Sequence, residues 1–105
     1  MKRRLFVQLG ILVGASCNSD DAHARATAKD AQATMNRELS MGDPETKIMD
    51  FFRRHKWLFE FDNDENRFYA EVFRSDTHLI TAYVYVNKAK QFVRSEVQID
   101  ILGMP

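Results

Sequence analysis

From Trp57 onward the apolar residues change their spacing, from about 3.6 residues to 2, and keep the shorter period through four stretches. In WLFEF, Trp57, Phe59 and Phe61 alternate with Leu58 and Glu60. In RFYAEVFR, Phe68, Ala70 and Val72 alternate with Arg67, Tyr69, Glu71 and Phe73. In LITAYVYV, Ile80, Ala82, Val84 and Val86 alternate with Leu79, Thr81, Tyr83 and Tyr85. In FVRSEVQIDIL, Val93, Ser95, Val97, Ile99 and Ile101 alternate with Arg94, Glu96, Gln98 and Asp100. Side chains two apart on a strand share a face, so this pattern predicts antiparallel strands with one solvated side. The links Asp62–Asn66, Ser75–Thr77 and Asn87–Lys90 are short enough only for strands that are neighbours. The order is a four-stranded meander.

The helical period lies upstream. Asp43-Pro44-Glu45 has the residue types of a helix start, with Asp43 as the cap and Pro44 in the first helical position. Ile48, Phe51, Phe52 and His55 then come at spacings of three and four. Arg53, Arg54 and Lys56 fall in the last turn, where the helix dipole favours cations, so RRHK needs no nucleic acid to explain it. Before Gly42, residues 25–41 are rich in Ala and have no aromatic ring. Ala28, Gln32, Met35 and Leu39 share a helical stripe, but only Met35 and Leu39 are sizeable, so a frayed helix or spacer is expected. The fold class is therefore α+β, one or two N-terminal helices followed by a four-stranded antiparallel β-meander. Eleven of the twelve aromatic residues lie between Phe51 and Phe92, which places the core under the second helix and the first three strands.

The first residues read as an address. Lys2, Arg3 and Arg4 precede the apolar run Leu5–Val13, and Ala22-His23-Ala24 has the A-x-A form. These are the parts of an export signal, and the run is well short of the ~20 residues that cross a bilayer. Residues 1–24 are read as that signal, 25–42 as the Ala-rich helix or spacer, and 43–105 as the α+β domain. Cleavage after Ala24 would release a periplasmic or secreted protein beginning at Arg25. The alternatives are a lipoprotein attached at Cys17, since VGASC resembles a lipobox with Gly14 in place of the usual Leu, and an uncleaved, frayed N-terminus on a cytoplasmic protein. Cys17 is the single cysteine, so no intramolecular disulfide is possible. Loss of residues 1–24 leaves 81 residues with 12 cations against 13 carboxylates, a balance without the basic excess that nucleic acid or an anionic membrane would demand.

FDNDEN, Phe61 to Asn66, is the one segment that invites a metal. With Asp62 in the first position of a calcium loop, Asp64 and Asn66 supply the third and fifth. The sixth is then Arg67 where glycine is needed, and the twelfth is Phe73 where a bidentate Glu is needed. The flanks are strands, so the segment reads as a turn. His23, His55 and His78 share no ligand spacing, which leaves no zinc motif. Ser75-Asp76-Thr77-His78 has the residue types of a triad, but all within one turn. Only Gly42 and Gly103 come after the signal, too few for a phosphate cradle. No catalytic residue, cofactor or metal ligand is assigned. Tyr69, Phe73, Tyr83 and Tyr85 lie opposite the aliphatic rows and are the candidate partner-binding residues.

Residues 48–105 also carry a helix ending in FFRRHKW, an extended WLFEFD before an acidic turn, a strand YVYVNKAK closing on a polar turn, and a valine-rich strand ending near GMP. This order resembles the opening half of the YbjN family of bacterial proteins, whose fold is like that of type III secretion chaperones. The resemblance implies a binding or chaperone-like role with no catalytic residues to carry over. The family usually continues with a further helix and strands, whereas this sequence stops at Pro105 and carries the export signal that many members lack.

The expectation is a small exported protein-binding or chaperone-like module without enzymatic activity. The alternative is a periplasmic or secreted enzyme that uses the strand-face carboxylates Glu60, Glu71 and Glu96. A homodimer is expected as well. One effective helix, about 10 Å wide, would leave part of a four-stranded sheet uncovered, and the strand Phe92–Leu102 offers an edge.

Overall fold

The computed structural model describes residues 16–102, and the basic start with its apolar run Leu5–Val13 lies outside them. Two helices precede one sheet: α1 (Ser16–Glu38), α2 (Glu45–Arg54), β1 (Leu58–Asp62), β2 (Arg67–Arg74), β3 (His78–Val86) and β4 (Phe92–Ile101). The strands pair antiparallel in the order β1-β2-β3-β4, the meander that the alternation and the short links predict.

Each hairpin link is closed by a side-chain oxygen at its start. Asp62 Oδ1 accepts from the amides of Asp64 (3.0 Å) and Glu65 (3.3 Å). Ser75 Oγ accepts from Thr77 (3.3 Å) and His78 (3.1 Å), and Asn87 Oδ1 accepts from Ala89 (2.9 Å) and Gln91 (3.0 Å). Asp, Ser and Asn favour turns because their short polar side chains satisfy nearby backbone donors in just this way. FDNDEN is such a turn, and Asn66 finishes it at φ 54, with its side-chain Nδ2 donating to the Val86 carbonyl (3.0 Å).

Both helices lie on the same face of the sheet. On that face the residues Phe68, Ala70, Ile80, Ala82 and Val84 are fully or almost fully buried. α2 brings Ile48, Phe51 and Phe52 to it. The Phe52 ring stacks on Phe59 of β1 at 5.1 Å and meets Phe68 of β2 at 6.1 Å, and Trp57 packs edge-on against Phe51 at 5.4 Å. The start of α2 differs in detail from the sequence reading. Pro44 is the cap residue, and the Asp43 carboxylate turns back to accept from the Ser40 amide (2.8 Å) and to meet Lys47 (3.4 Å). Gly42 at φ 89 carries the chain between the helices, where a side chain would be strained.

α1 is the larger departure. Residues 25–41 are no spacer: the segment up to Glu38 is helical and packed over β3 and β4. Ala24, Ala31, Met35 and Leu39 are buried, and Gln32 Nε2 donates to Ser95 Oγ on β4 (2.9 Å). The buried face runs through Ala24 and Ala31, with Ala28 only half-buried, and two of its four residues are alanine. Small residues let a helix settle close to a sheet, so the contact comes from proximity rather than from bulk. With 23 residues α1 is about 34 Å long, matching the ~34 Å of a ten-residue strand. The two helices together roof the sheet, so an apolar face left bare by a single helix is not a feature of this fold.

α1 also continues unbroken through Ala22-His23-Ala24, the A-x-A segment. Asp21 Oδ1 meets Nε2 of the buried His78 at 2.8 Å, and Nδ1 of that ring meets Thr77 Oγ1 at 2.7 Å. The other end of α1 is fastened to α2, where Glu38 binds Arg54 (2.8 Å) and His55 (3.1 Å). Half of the RRHK cluster is thus a clasp between helices. The Arg54 hydrogen bond chiefly, with His55, holds the Glu38 carboxyl below its ordinary value despite partial desolvation.

Candidate functional site: the open face of the sheet

The residues that alternate with the core row form the second face, which neither helix covers. The registers place them in rows that cross the strands. Asp62, Arg67, Tyr85 and Arg94 make one row, and Glu60, Tyr69, Tyr83 and Glu96 the next. Leu58, Glu71, Thr81 and Gln98 make a third. Residues opposite each other on neighbouring antiparallel strands stand about 5 Å apart, so each row is a line of touching groups.

Three of the four expected partner-binding residues share this face. Tyr69, Tyr83 and Tyr85 are neighbours across β2 and β3. Phe73 is not among them. A bulge between Glu71 and Phe73 shifts the register by one residue, so that Phe73 stands opposite Ile80 on the helix side. There its ring meets His23 of α1 edge-on at 5.2 Å. Strict alternation cannot anticipate an extra residue in a strand, and one slip changes the face.

Two arginines to which the sequence pattern assigns no role organise the tyrosines. Arg67 lies over the Tyr83 ring at 4.3 Å, and its Nη1 donates to the Tyr85 hydroxyl (2.9 Å). Arg94 covers Tyr85 at 3.8 Å and binds Glu96 (2.8 Å). Guanidinium planes stack on aromatic rings with both electrostatic and dispersion gain. The hydrogen bond that Arg67 donates to Tyr85 is the main reason that its guanidinium is held above its ordinary value, and the bond from Arg94 is what lowers Glu96. Arg67 Nε is buried without a hydrogen bond, its nearest acid being Asp62 at 3.6 Å. The signal for this arrangement exists in the sequence. Once the link lengths fix the register, Arg67 and Arg94 fall on either side of Tyr85.

Tyr69 divides two open hollows. One, of about 530 Å³, is bordered by Asp62, Asp64, Arg67 and Tyr83; the other, of about 430 Å³, by Leu58, Glu60, Glu71, Arg74 and Thr81. Glu60 accepts from the Tyr69 hydroxyl (3.2 Å), and its charge raises that hydroxyl above its ordinary value. Glu71 is engaged by Arg74 (3.1 Å) and Glu96 by Arg94. The three strand-face carboxylates therefore share one side of the sheet, each with its own donor; Glu60 and Glu71 border the same open hollow, and Glu96 borders neither.

The Asp62 carboxylate is spent on its own turn and on Arg67. Among the described residues no group of three or more His, Cys, Asp and Glu is placed to hold a metal ion. No described helix is long and apolar enough to cross a membrane. The Thr77–His78–Asp21 chain has triad residue types, now from two segments, but it lies on the helix side with a buried imidazole, away from both hollows. No family model, curated protein or solved structure matches the chain.

Proposed function

We propose that this chain is a small binding module without catalytic activity, acting through protein contact at the open face of its sheet. The observation that carries this reading is the Arg67–Tyr83–Tyr85–Arg94 stack, flanked by Tyr69, on a face that none of the described elements covers. Tyr and Arg are, with Trp, the residues enriched among those that carry binding energy at protein interfaces, because they offer large contact area together with polar ends. The intramolecular stacking holds these side chains in place before a partner arrives, which lowers the entropy lost on binding. The resemblance of residues 48–105 to YbjN proteins points the same way, toward a chaperone-like role.

Self-association is part of the proposal, through the edge of the sheet rather than its roofed face. Export to the periplasm or beyond is also part of it, on the strength of the basic start, the apolar run and the A-x-A segment. A chain starting at Arg25 would lack Asp21, His23 and the buried Ala24, whereas a lipidated start at Cys17 would keep them. An uncleaved chain would keep them equally. Intact-mass measurement on protein from the native host distinguishes a start at Arg25 from an acylated Cys17.

The function is tested by comparing the partners retained by wild type with those retained by Tyr83→Ala and Arg94→Ala, after circular dichroism has confirmed that both variants fold. Loss of the same partners from both variants is the expected result. Equal retention would move the site elsewhere, and turnover of any substrate in a broad hydrolase and transferase screen would overturn the non-enzymatic reading.

A further inference from the structure

β4 is the outermost strand, and its free side has a length and a charge pattern that select one occupant. Among the described residues, the backbone bonds reaching that side are those of Phe92, whose amide donates to the Asp43 carbonyl (2.8 Å) and whose carbonyl accepts from Gly42 (2.9 Å). From Val93 to Ile101 the outward donors and acceptors have no backbone partner, and an edge of this kind is a template for another strand. The opposite edge, β1, has only five residues.

We propose that two copies of this chain join β4 to β4, antiparallel, about a two-fold axis at Val97, to form one eight-stranded sheet. This rests on the self-association reading above and assigns it a surface and a register. Val97 is the midpoint of the free stretch, so this register pairs all of it. Arg94 then stands opposite Asp100 of the second copy, twice by symmetry, and Glu96 stands opposite Gln98. On the helix side Val97 meets its own copy, Ser95 meets Ile99, and Val93 meets Ile101. Val93 (36% exposed) and Ile101 (55%) are the two exposed large apolar residues of β4, and this register covers both with each other.

Neighbouring registers are worse for stated reasons. An axis at Glu96 sets that carboxylate against itself, and an axis at Gln98 sets Glu96 against Asp100. An axis at Ser95 pairs only seven residues and requires the Phe92 backbone, which Gly42 and Asp43 already occupy. An axis between two residues would place charged side chains opposite the apolar row.

Charge exchange in the full 105-residue chain tests this, read by sedimentation equilibrium. Asp100→Arg sets arginine against Arg94 at two places, and Arg94→Asp sets carboxylate against Asp100 at two places. Each should weaken the dimer by about tenfold or more, since opposite charges across strands stabilise and like charges do the reverse. The double variant should return to within about threefold of wild type, because its pairs are again opposite in sign. Amide hydrogen exchange on wild type supplies a measurement that needs no variant. The outward β4 amides should be slow at high protein concentration and fast on dilution. A wild-type dimer that ignores both single exchanges, or whose outward β4 amides exchange alike at all concentrations, overturns the β4 register and leaves self-association standing. A wild-type monomer at ~100 μM, a concentration far above the Kd of a stable dimer, overturns both.

Discussion

The two helices cover one sheet by different means. α2 is ten residues long and brings three fully buried large side chains, Ile48, Phe51 and Phe52, onto β1 and β2. α1 is more than twice as long and brings mostly alanine, with Met35 as its one fully buried large group. A short helix with bulky groups needs few contacts. A long one with small groups gains by lying close along a whole strand and by being held at both ends. Asp21 and Glu38 supply those two ends, through His78 and through Arg54 with His55. The difference teaches that coverage of a sheet can come from volume or from length, and only the first is conspicuous in a residue pattern.

Truncating the bulky helix should have the largest effect. Phe52→Ala removes a ring that packs on Phe59, Phe68 and Phe51, and should lower stability by about 3–5 kcal/mol in urea denaturation. A loss below ~1 kcal/mol, far under the usual cost of truncating a buried ring, would mean that α2 is not the main anchor of the core.

Met35→Ala is the matching change on α1, expected to cost about 2–4 kcal/mol in the same measurement. If the change were neutral, α1 would be a helix that touches the sheet without contributing to the fold, in keeping with a spacer. Loss of the N-terminal tether is expected to be smaller. Asp21→Ala leaves Nε2 of a buried imidazole without its acceptor, at a cost of roughly 1–3 kcal/mol. Faster amide exchange confined to the first turns of α1 should accompany it, and uniform acceleration along the whole helix would show that α1 docks as one unit.

The smallest effect concerns the clasp between the helices, and pH reveals it. Glu38 is held below its ordinary value of 4.5 in the fold, by Arg54 first. Its ionised form is therefore favoured by folding. The contribution is complete above that ordinary value and is lost as pH falls through the lower, folded value. Wild type should melt above Glu38→Gln at neutral pH, and the gap should close on acidification below 4.5. A gap that widened on acidification would reverse the sign and exclude Glu38 as the paired anion.

The strands, their order and their turns were legible because each depends on neighbours in sequence. Alternation at period 2 marked all four strands, and Asp62, Ser75 and Asn87 marked the links through bonds to amides two to four residues away. The side of the sheet assigned to Tyr69, Tyr83 and Tyr85 came from the same alternation. Phe73 escaped it, since a bulge is a property of two strands together and turns the residues beyond it to the opposite face.

Three features were settled only in three dimensions. The stack of Arg67 and Arg94 around Tyr85 depends on a contact between residues 18 positions apart, Arg67 and Tyr85, and it requires the register of three strands. The pair Asp21–His78 spans 57 positions and gives α1 a fixed place. The burial of Ala24 and Ala31 depends on a sheet lying close beneath them. Local periodicity states which face a residue turns toward within its own element. It is silent on how near another element comes, because that distance is decided by the packing of the whole core. An alanine-rich helix depends on that distance more than any other element here.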